Sequence, residues 1–280
     1  MNMPLDPTSF EPDVREGTLF YRLFDEAESV RWKMADCDFG AIRPTDVPPG
    51  LRAVAREMLK SELTTFSATE RFFADFGDDV DFTQWLTVWL YEETKHPSAL
   101  LCWLDALGEK FDSRFMLQGR MTIPFMPSKM GTLTTNVISE MVAATLYVTV
   151  ASRPGCEPTL RRICSNIAGD EARHAASFYS YAKKRLARSA DPRSEKIAAL
   201  KVLYFWMTPG LNSRVGHPVN MLANRCKEGA EIGEMLPREA LEAAIDQTYR
   251  RACRVFESLL GLTLREPRDI GEQLTALEAS

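Results

Sequence analysis

Two short stretches of the sequence carry the same pattern of acids, base and histidine. Residues 92–96 read EETKH and residues 170–174 read DEARH, and together they use two of the three histidines in the chain. Residues three apart share a helix face, so Glu93 should lie beside His96, and Glu171 beside His174. A carboxylate and an imidazole on one helix face are common ligands of divalent cations. The repeat therefore predicts metal ligands.

Two further glutamates are predicted to face the same interior. Glu62 is in phase with the apolar residues of a helix predicted over 51–75, and Glu140 with those of a helix predicted over 134–151. A constant offset of 78 residues also relates the two halves of the pattern, which indicates two similar hairpins. The offset relates Glu62 to Glu140, Glu93 to Glu171, His96 to His174, Glu92 to Asp170, and Lys95 to Arg173.

The heights of these acids in a helical hairpin agree with the predicted turns. The midpoint of Glu62 and Glu93 falls in FGDD at 76–79, and that of Glu140 and Glu171 falls in PGCE at 154–157. Four buried carboxylates would protonate unless cations offset their charge, and two divalent cations would do so. Glutamates and histidines with open positions suit iron or manganese better than a closed structural zinc site.

Two more acids are candidates for holding the histidines. A metal-bound histidine usually donates its other N–H to a carboxylate, and Asp170 and Glu92 are placed to accept from the histidine of the opposite helix. The alternative is that Glu92–Lys95 and Asp170–Arg173 are ordinary surface pairs one helical turn apart. Pro97 lacks the amide that would bond the carbonyl of Glu93, which predicts a kink or widening of the helix.

The composition is that of a soluble globular protein, with 45% hydrophobic and 26% charged residues in 280. The net charge of −5 argues against a general nucleic-acid binder. The six cysteines are scattered without a C-x-x-C pair, which predicts reduced thiols and a cytoplasmic protein. We expect no signal peptide, no membrane-spanning stretch and, without a glycine-rich phosphate loop, no nucleotide site.

Helical periodicity predicts an all-α fold. Besides the two helices above, one helix should carry Trp85 to Leu107 and another should start near Pro158. The stretch GRMTIPFMPSKMG at 119–131 reads as a long crossover, so two helical hairpins would form a four-helix bundle. We predict a single domain with a loosely held tail from Arg265. Its parts are an extension at 1–50, the bundle at 51–190, and C-terminal helices at 191–280 that pack on the bundle.

With these motifs in place, the chain resembles the soluble acyl-carrier-protein desaturases of the ferritin-like superfamily. The likeness covers roughly residues 51–186 and is closest in QWLTVWLYEETKH and CSNIAGDEARHAASF. It implies a ferritin-like bundle with a di-iron centre that activates dioxygen and attacks an unactivated C–H bond, using electrons from a ferredoxin-like donor. The implied ligands are Glu93 and Glu171 as bridges, Glu62 and His96 on one iron, and Glu140 and His174 on the other.

The chain departs from this family at several positions. The family has a threonine three residues after the third-helix glutamate, where this chain has Ala143, and Thr145 nearby is on another helix face. The glycine after the family's first motif is Pro97 here. Trp32 is the candidate for a tryptophan of the family's electron-transfer path, at a shorter spacing to Glu62.

The expected function is therefore an oxidase of an acyl or other apolar substrate, a desaturase or a hydroxylase, with two Fe ions or an Fe/Mn pair. We also expect a homodimer. An acidic carrier protein would need a basic dock, and the end of the fourth helix offers one. The alternative there is a solvated helix face. The dock residues would be Lys183, Lys184, Arg185, Arg188, Arg193 and Lys196. The channel candidates are Phe66, Phe73, Trp85, Trp89, Trp103, Phe125 and Met126, for which ordinary core packing is the alternative.

Three other functions stay open from the sequence. The same scaffold supports an N-oxygenase, for which His217 would be an additional ligand. A non-catalytic iron-storage or iron-sensing protein would use the same ligands. A radical-generating subunit is disfavoured, because the radical tyrosine of that family stands four residues after the first histidine, where this chain has Leu100.

Overall fold

A computed structural model describes residues 14–118, 127–208, 210–211, 224 and 230–279, and over these residues the secondary structure is helical with no strand. The predicted all-α class is confirmed for this part of the chain, and the arrangement is compatible with a helical bundle. The α-helices are α1 (Val14–Gly17), α2 (Phe20–Val30), α3 (Pro49–Glu62), α4 (Thr65–Phe76), α5 (Val80–Ala106), α6 (Ser113–Gln118), α7 (Lys129–Ala151), α8 (Pro158–Arg188), α9 (Pro192–Met207), α10 (Ala230–Met235), α11 (Arg238–Leu260) and α12 (Pro267–Ala279).

The helix predicted over 51–75 is divided into α3 and α4, so that prediction was wrong as a single element. The amide of Thr64 bonds the carbonyl of Ser61 at 3.2 Å, and the Thr64 hydroxyl bonds the same carbonyl at 2.8 Å. This tight turn directly after Glu62 changes the helical phase of everything that follows. As a result Phe72 is buried, whereas Phe73, one of the predicted channel residues, is 40% exposed.

The turns predicted at FGDD and PGCE are confirmed, since α4 ends at Phe76 and α8 begins at Pro158. Helix α5 is capped by the Asp79 side chain, which accepts from the amide of Phe82. It continues through Pro97, so the proline does not end the helix. Helix α7 begins at Lys129, earlier than predicted, because the Ser128 hydroxyl caps it by accepting from the amide of Gly131 at 3.0 Å.

Helix α7 is also long and apolar enough to cross a membrane by length and composition, which the sequence analysis did not expect. In the fold, 67% of its most apolar 18-residue window is buried, and it packs along α8. The core helix of a soluble protein meets the same criterion, so this is weak evidence for a membrane span.

The N-terminal segment is tied to the bundle through the buried carboxylate of Asp81 on α5. This carboxylate accepts from the amides of Leu19 at 3.0 Å and Phe20 at 2.8 Å, and from the ammonium of Lys184 at 2.7 Å. The anion thus satisfies the first turn of α2 and joins it to α5 and α8. The chain that follows α2 carries Trp32 to a buried position beside α8.

The C-terminal helices pack on the bundle, with α9 and α11 against α7 and α10 against α3. The predicted loose tail is wrong: residues 267–279 form α12, which packs against α9. Its Ile270 is buried, and the guanidinium of Arg193 donates to the carbonyl of Leu277 at 2.6 Å. Leu274 and Leu277 are partly buried against the core, and Lys201 on α9 pairs with Glu278 at 2.9 Å, so apolar packing and polar contacts together hold the helix on α9.

Candidate metal centre

The six predicted ligands are all buried and lie together at one level of the bundle. Helix α3 supplies Glu62 at its last residue, α5 and α8 each supply a glutamate–histidine pair, and α7 supplies Glu140. Their donor atoms form two overlapping groups, within each of which all donor atoms lie within 4.8 Å of one another. One group is Glu93, Glu140, Glu171 and His174; the other is Glu62, His96 and Glu171.

Both histidines turn the same ring nitrogen toward the carboxylates. Nδ1 of His96 lies 3.3 Å from Oε2 of Glu62, and Nδ1 of His174 lies 3.0 Å from Oε1 of Glu93. That oxygen of Glu93 has no hydrogen-bond donor among the described residues, although it is buried. A buried carboxylate oxygen and an imidazole nitrogen that converge without a hydrogen bond are arranged as two ligands of one cation would be.

The carboxylates of Glu93 and Glu171 each place one oxygen beside each histidine. Oε1 and Oε2 of Glu171 lie 3.6 Å from Nδ1 of His96 and 3.4 Å from Nδ1 of His174. Oε2 of Glu93 lies 3.9 Å from Nδ1 of His96, and its Oε1 is the atom beside His174. Both glutamates therefore lie between the two histidines; Glu171 belongs to both donor groups, and Glu93 belongs to the group of His174.

The outer nitrogen of each histidine meets a carboxylate of the opposite helix, as the spacing predicts. Nε2 of His96 lies 3.1 Å from Oδ2 of Asp170, and Nε2 of His174 lies 3.0 Å from Oε2 of Glu92. Both acids are buried, so the alternative of ordinary surface pairs is wrong for them. Arg173 bridges the two, with its Nη2 2.8 Å from Glu92 and 2.5 Å from Asp170.

Trp32 contacts Asp170, one of the two acids that hold the histidines. Its indole N–H donates to Oδ2 of Asp170 at 2.8 Å, so a chain of hydrogen bonds runs from Trp32 through Asp170 to His96. The ammonium of Lys95 lies over the Trp32 ring, 4.5 Å from its centroid, and is 3.9 Å from Asp170. The tryptophan predicted from the resemblance thus touches the candidate site.

Two hydroxyl groups at the site were missed by the sequence reasoning. The buried Tyr147 hydroxyl donates to Oε1 of Glu62, and the Thr65 hydroxyl donates to Oε2 of Glu93 at 2.9 Å. Tyr147 stands seven residues after Glu140, which places both on the same face of α7. That phase was the available signal for Tyr147, whereas Thr65 depends on the turn between α3 and α4.

The site without a cation holds extra protons. Burial, together with the charge of Glu93, raises the pKa of Glu140 to about 7, and burial raises the pKa of Glu171 well above its usual range. Burial alone would lower the pKa of His174, but its hydrogen bond with Glu92 and the nearby charges of Glu93 and Glu140 outweigh this effect and raise it to about 10. A cation that binds these groups would therefore compete with protons.

The two acids that contact the outer histidine nitrogens, Asp170 and Glu92, have lowered pKa values. Burial opposes ionisation of Asp170, but its hydrogen bond from His96 and the charges of both histidines outweigh burial and lower its pKa. The pKa of Glu92 is lowered in the same way, against burial, chiefly by its hydrogen bond from His174. These two carboxylates stay ionised and hold the imidazoles with Nδ1 directed inward.

Three of the predicted channel residues pack in the core: Trp85, Trp89 and Trp103. Trp85 and Trp89 pack against Phe178, with ring centroids 4.9 Å and 6.0 Å apart, and the Trp103 indole donates to Glu157 at 2.8 Å. These three are core residues in the fold. Phe66 is half-buried. Phe125, Met126 and His217 lie outside the described residues.

The proposed basic dock is partly occupied by contacts within the chain. Lys184 pairs with Asp81, Arg185 with Glu195 at 2.7 Å, and Arg193 with the Leu277 carbonyl. Lys183 is exposed.

Ala143, at which the chain departs from the resembled family, is buried. The hydroxyl of nearby Thr145 lies 2.6 Å from that of Thr248, away from the carboxylates.

No protein-family model and no curated protein matches the sequence. The buried set of glutamates and histidines nevertheless fits a metal ion by donor type, by convergence of the donor atoms, and by the free oxygen of Glu93. The chain therefore has a buried glutamate and histidine cluster that can hold a metal ion.

We expect Asp170→Asn to weaken metal binding about 10–100-fold, because a neutral amide replaces the anionic acceptor of His96. Glu92→Gln should weaken binding by a similar factor through His174. Binding isotherms with Fe²⁺ under anaerobic conditions measure both effects. The matched control is Asp105→Asn on the exposed side of α5, which should change nothing; equal affinity of Asp170→Asn and the unaltered protein would contradict the assigned role.

Metal affinity should decrease as the pH falls, because His174 with its pKa of about 10 holds a proton across the neutral range. The decrease should become steeper below about 7, the pKa of Glu140 in the metal-free site. A cation must displace each bound proton, and below its pKa each additional protonated ligand weakens binding about tenfold per pH unit. The dissociation constant for Co²⁺, measured between pH 6 and pH 8, checks this dependence. A constant affinity across that range would show that the ligands are not protonated in the metal-free protein.

Proposed function

We propose that the chain is a ferritin-like di-iron oxidase that activates dioxygen to oxidise an unactivated C–H bond of an acyl or similarly apolar substrate. The observation that carries this proposal is the duplicated half-site. Each half has one glutamate, one histidine and a share of two carboxylates placed between the histidines. This ligand set is the one found in di-iron carboxylate proteins of the four-helix bundle class.

The charge of the site supports two divalent cations. Glu62, Glu93, Glu140 and Glu171 carry four negative charges when ionised, and two divalent cations cancel them. The outer acids Asp170 and Glu92 are already served by Arg173, with Lys95 near Asp170. No cysteine belongs to either donor group. Carboxylate and imidazole ligands favour iron or manganese.

The residues around the site have separable roles in this proposal. Glu93 and Glu171 would bridge the ions, Glu62 with His96 and Glu140 with His174 would complete the two positions, and a reduced iron pair would supply electrons to dioxygen. Asp170 and Glu92 fix which nitrogen of each imidazole faces inward. The aromatic residues Phe72, Trp89 and Phe178 pack at the His174 end and exclude water there.

Electrons would come from a separate protein, because the sequence contains no glycine-rich nucleotide motif. We propose a ferredoxin-like donor. The contacts of Trp32 with Asp170, and of Asp170 with His96, support electron entry on this side of the bundle. Trp32→Phe keeps an aromatic side chain and removes the indole N–H donor, which makes it the variant suited to test this role.

We propose the class of the substrate and not a single compound. An acyl chain linked to an acidic carrier protein would meet the end of α8, where Lys183 is exposed. An N-oxygenase would use the same ligands with a nitrogen in place of the carbon, and its distinguishing residue, His217, lies outside the described residues. The product of the reaction separates these cases.

The test is mass spectrometry of candidate substrates after anaerobic loading with Fe²⁺, chemical reduction and exposure to oxygen. Acyl chains free and linked to a carrier protein, and an aromatic amine, form the substrate panel. Loss of two hydrogens means desaturation, gain of one oxygen on carbon means hydroxylation, and gain of oxygen on nitrogen means N-oxidation. Oxygen uptake that ends when the iron is oxidised, with every substrate unchanged, would replace the proposal with iron storage or sensing.

A further inference from the structure

The two halves of the site differ in their hydroxyl groups, although their ligands match. The 78-residue offset that relates the ligands also relates Thr65 to Ala143, and Thr69 to Tyr147. The two side chains differ in chemistry in both pairs. The offset matches a hydroxyl group with a methyl group in the first pair, and a short alcohol with a phenol in the second. The pseudo-two-fold symmetry therefore fails at the hydrogen-bond donors around the ligands.

Both hydroxyl donors act on the half-site of Glu62 and His96. Tyr147 donates to Oε1 of Glu62, which leaves Oε2 as the oxygen near Nδ1 of His96, at 3.3 Å. Thr65 donates at 2.9 Å to Oε2 of Glu93, the oxygen of that carboxylate on the His96 side. Each bond uses a lone pair that would otherwise be available to a cation at this position.

The half-site of Glu140 and His174 has no such donors in the described part of the chain. Ala143 offers a methyl group, and the Thr69 hydroxyl donates to the carbonyl of Thr65 on its own helix, at 2.9 Å. Four donor groups converge within 4.8 Å of one another in this half, compared with three in the half of His96. The Glu93 carboxylate lies closer to His174, at 3.0 Å from Nδ1, than to His96, at 3.9 Å from Nδ1.

We infer that the two half-sites bind cations with unequal affinity: the first cation binds at Glu140 and His174, and the second binds more weakly at Glu62 and His96. Tyr147 is a positioning residue that restricts Glu62 to one ligand oxygen at the weaker position. This inference rests on the two-cation part of the proposed function.

The sign of the Tyr147 effect follows from the direction of its hydrogen bond. An acceptor on the outer nitrogen of a histidine raises the basicity of the ligand, whereas a donor to a carboxylate oxygen lowers it. A carboxylate with one oxygen engaged also cannot chelate a cation through both oxygens. Removing the phenol oxygen should therefore strengthen, not weaken, binding at the position of Glu62.

Titration of the metal-free protein with Co²⁺, followed by its visible absorption and by calorimetry, tests the order of binding. We expect two steps with dissociation constants at least about tenfold apart. Glu140→Gln should weaken the tighter step, and Glu62→Gln should weaken only the second step. Both variants are isosteric, and circular dichroism confirms their helical content. Two steps of equal affinity, or loss of the tighter step in Glu62→Gln alone, would overturn the inference.

Tyr147→Phe then isolates the hydroxyl. The second dissociation constant should fall about tenfold, the effect of one hydrogen bond to a charged group, while the first stays unchanged. Thr69→Val is the matched control, because Thr69 stands 78 residues before Tyr147 and its hydroxyl donates to the backbone of its own helix. It should leave both constants unchanged. A second step that is unchanged or weaker in Tyr147→Phe would refute the role of Tyr147.

The same titration separates this inference from the proposed function. Unequal binding of two cations with no oxidised product from the substrate panel would remove the oxidase function and leave the inference intact. Equal binding together with a C–H oxidation product would do the opposite. Binding of fewer than two Co²⁺ ions would overturn both.

Discussion

Glu171→Gln should remove iron binding at both half-sites and reduce substrate oxidation to background. Glu171 belongs to both donor groups, with its two oxygens 3.6 Å and 3.4 Å from the Nδ1 atoms of His96 and His174. The amide has the same shape but carries no charge and has only one oxygen to offer. Because residues that merely support ligands affect affinity about 10–100-fold, we expect loss of this ligand to exceed about 100-fold.

Iron content after anaerobic loading and desalting, measured by elemental analysis, checks this result. Glu70→Gln is the matched control, since Glu70 is an exposed acid on α4 of the same hairpin. It should retain the iron content and the activity of the unaltered protein. A Glu171→Gln protein that still retains two iron ions per chain would exclude the bridging role of this residue.

The ligand cluster was predictable from the sequence because its residues are spaced with the period of the α-helix. Helical phase places Glu93 with His96 and Glu171 with His174, and the turn midpoints place Glu62 and Glu140 at the same level. The cross-bundle bonds of Asp170 and Glu92 were predictable for the same reason, since antiparallel helices bring residues on opposite sides of the ligands together. Regular helices convert residue spacing into three-dimensional position.

The structural features that could not be predicted depend on local departures from regular helix geometry and on tertiary contacts. The turn at Leu63 and Thr64 shifts the helical phase, so Phe72 and not Phe73 enters the core, and Thr65 comes within hydrogen-bond distance of Glu93. The contact of Tyr147 with Glu62 joins residues 85 apart in the chain and depends on the side-chain rotamers of both. Helix α12 is held by tertiary contacts of Ile270, Leu274 and Leu277, which local periodicity does not reveal.

Metal loading should stabilise the protein substantially. The metal-free site concentrates four glutamates among buried residues, and burial raises the pKa of both Glu140 and Glu171, which shows how unfavourable the ionised cluster is without a cation. A cation that binds only the folded state, at 100 times its dissociation constant, stabilises by about 2.7 kcal/mol. For a chain of this size that raises the Tm by about 5–10 °C. Thermal unfolding with and without Co²⁺ measures the shift.

The decisive comparison uses Glu171→Gln in the same experiment. Without metal, this variant should unfold at the same temperature as the unaltered protein or at a higher one, because a neutral amide replaces a carboxyl group whose ionised form burial disfavours. With Co²⁺ it should gain little. A cluster selected for stability alone would show the reverse, with the variant destabilised in the absence of metal and no metal-dependent gain in either protein. The expected pattern is that of a site in which fold stability is sacrificed to bind a cation.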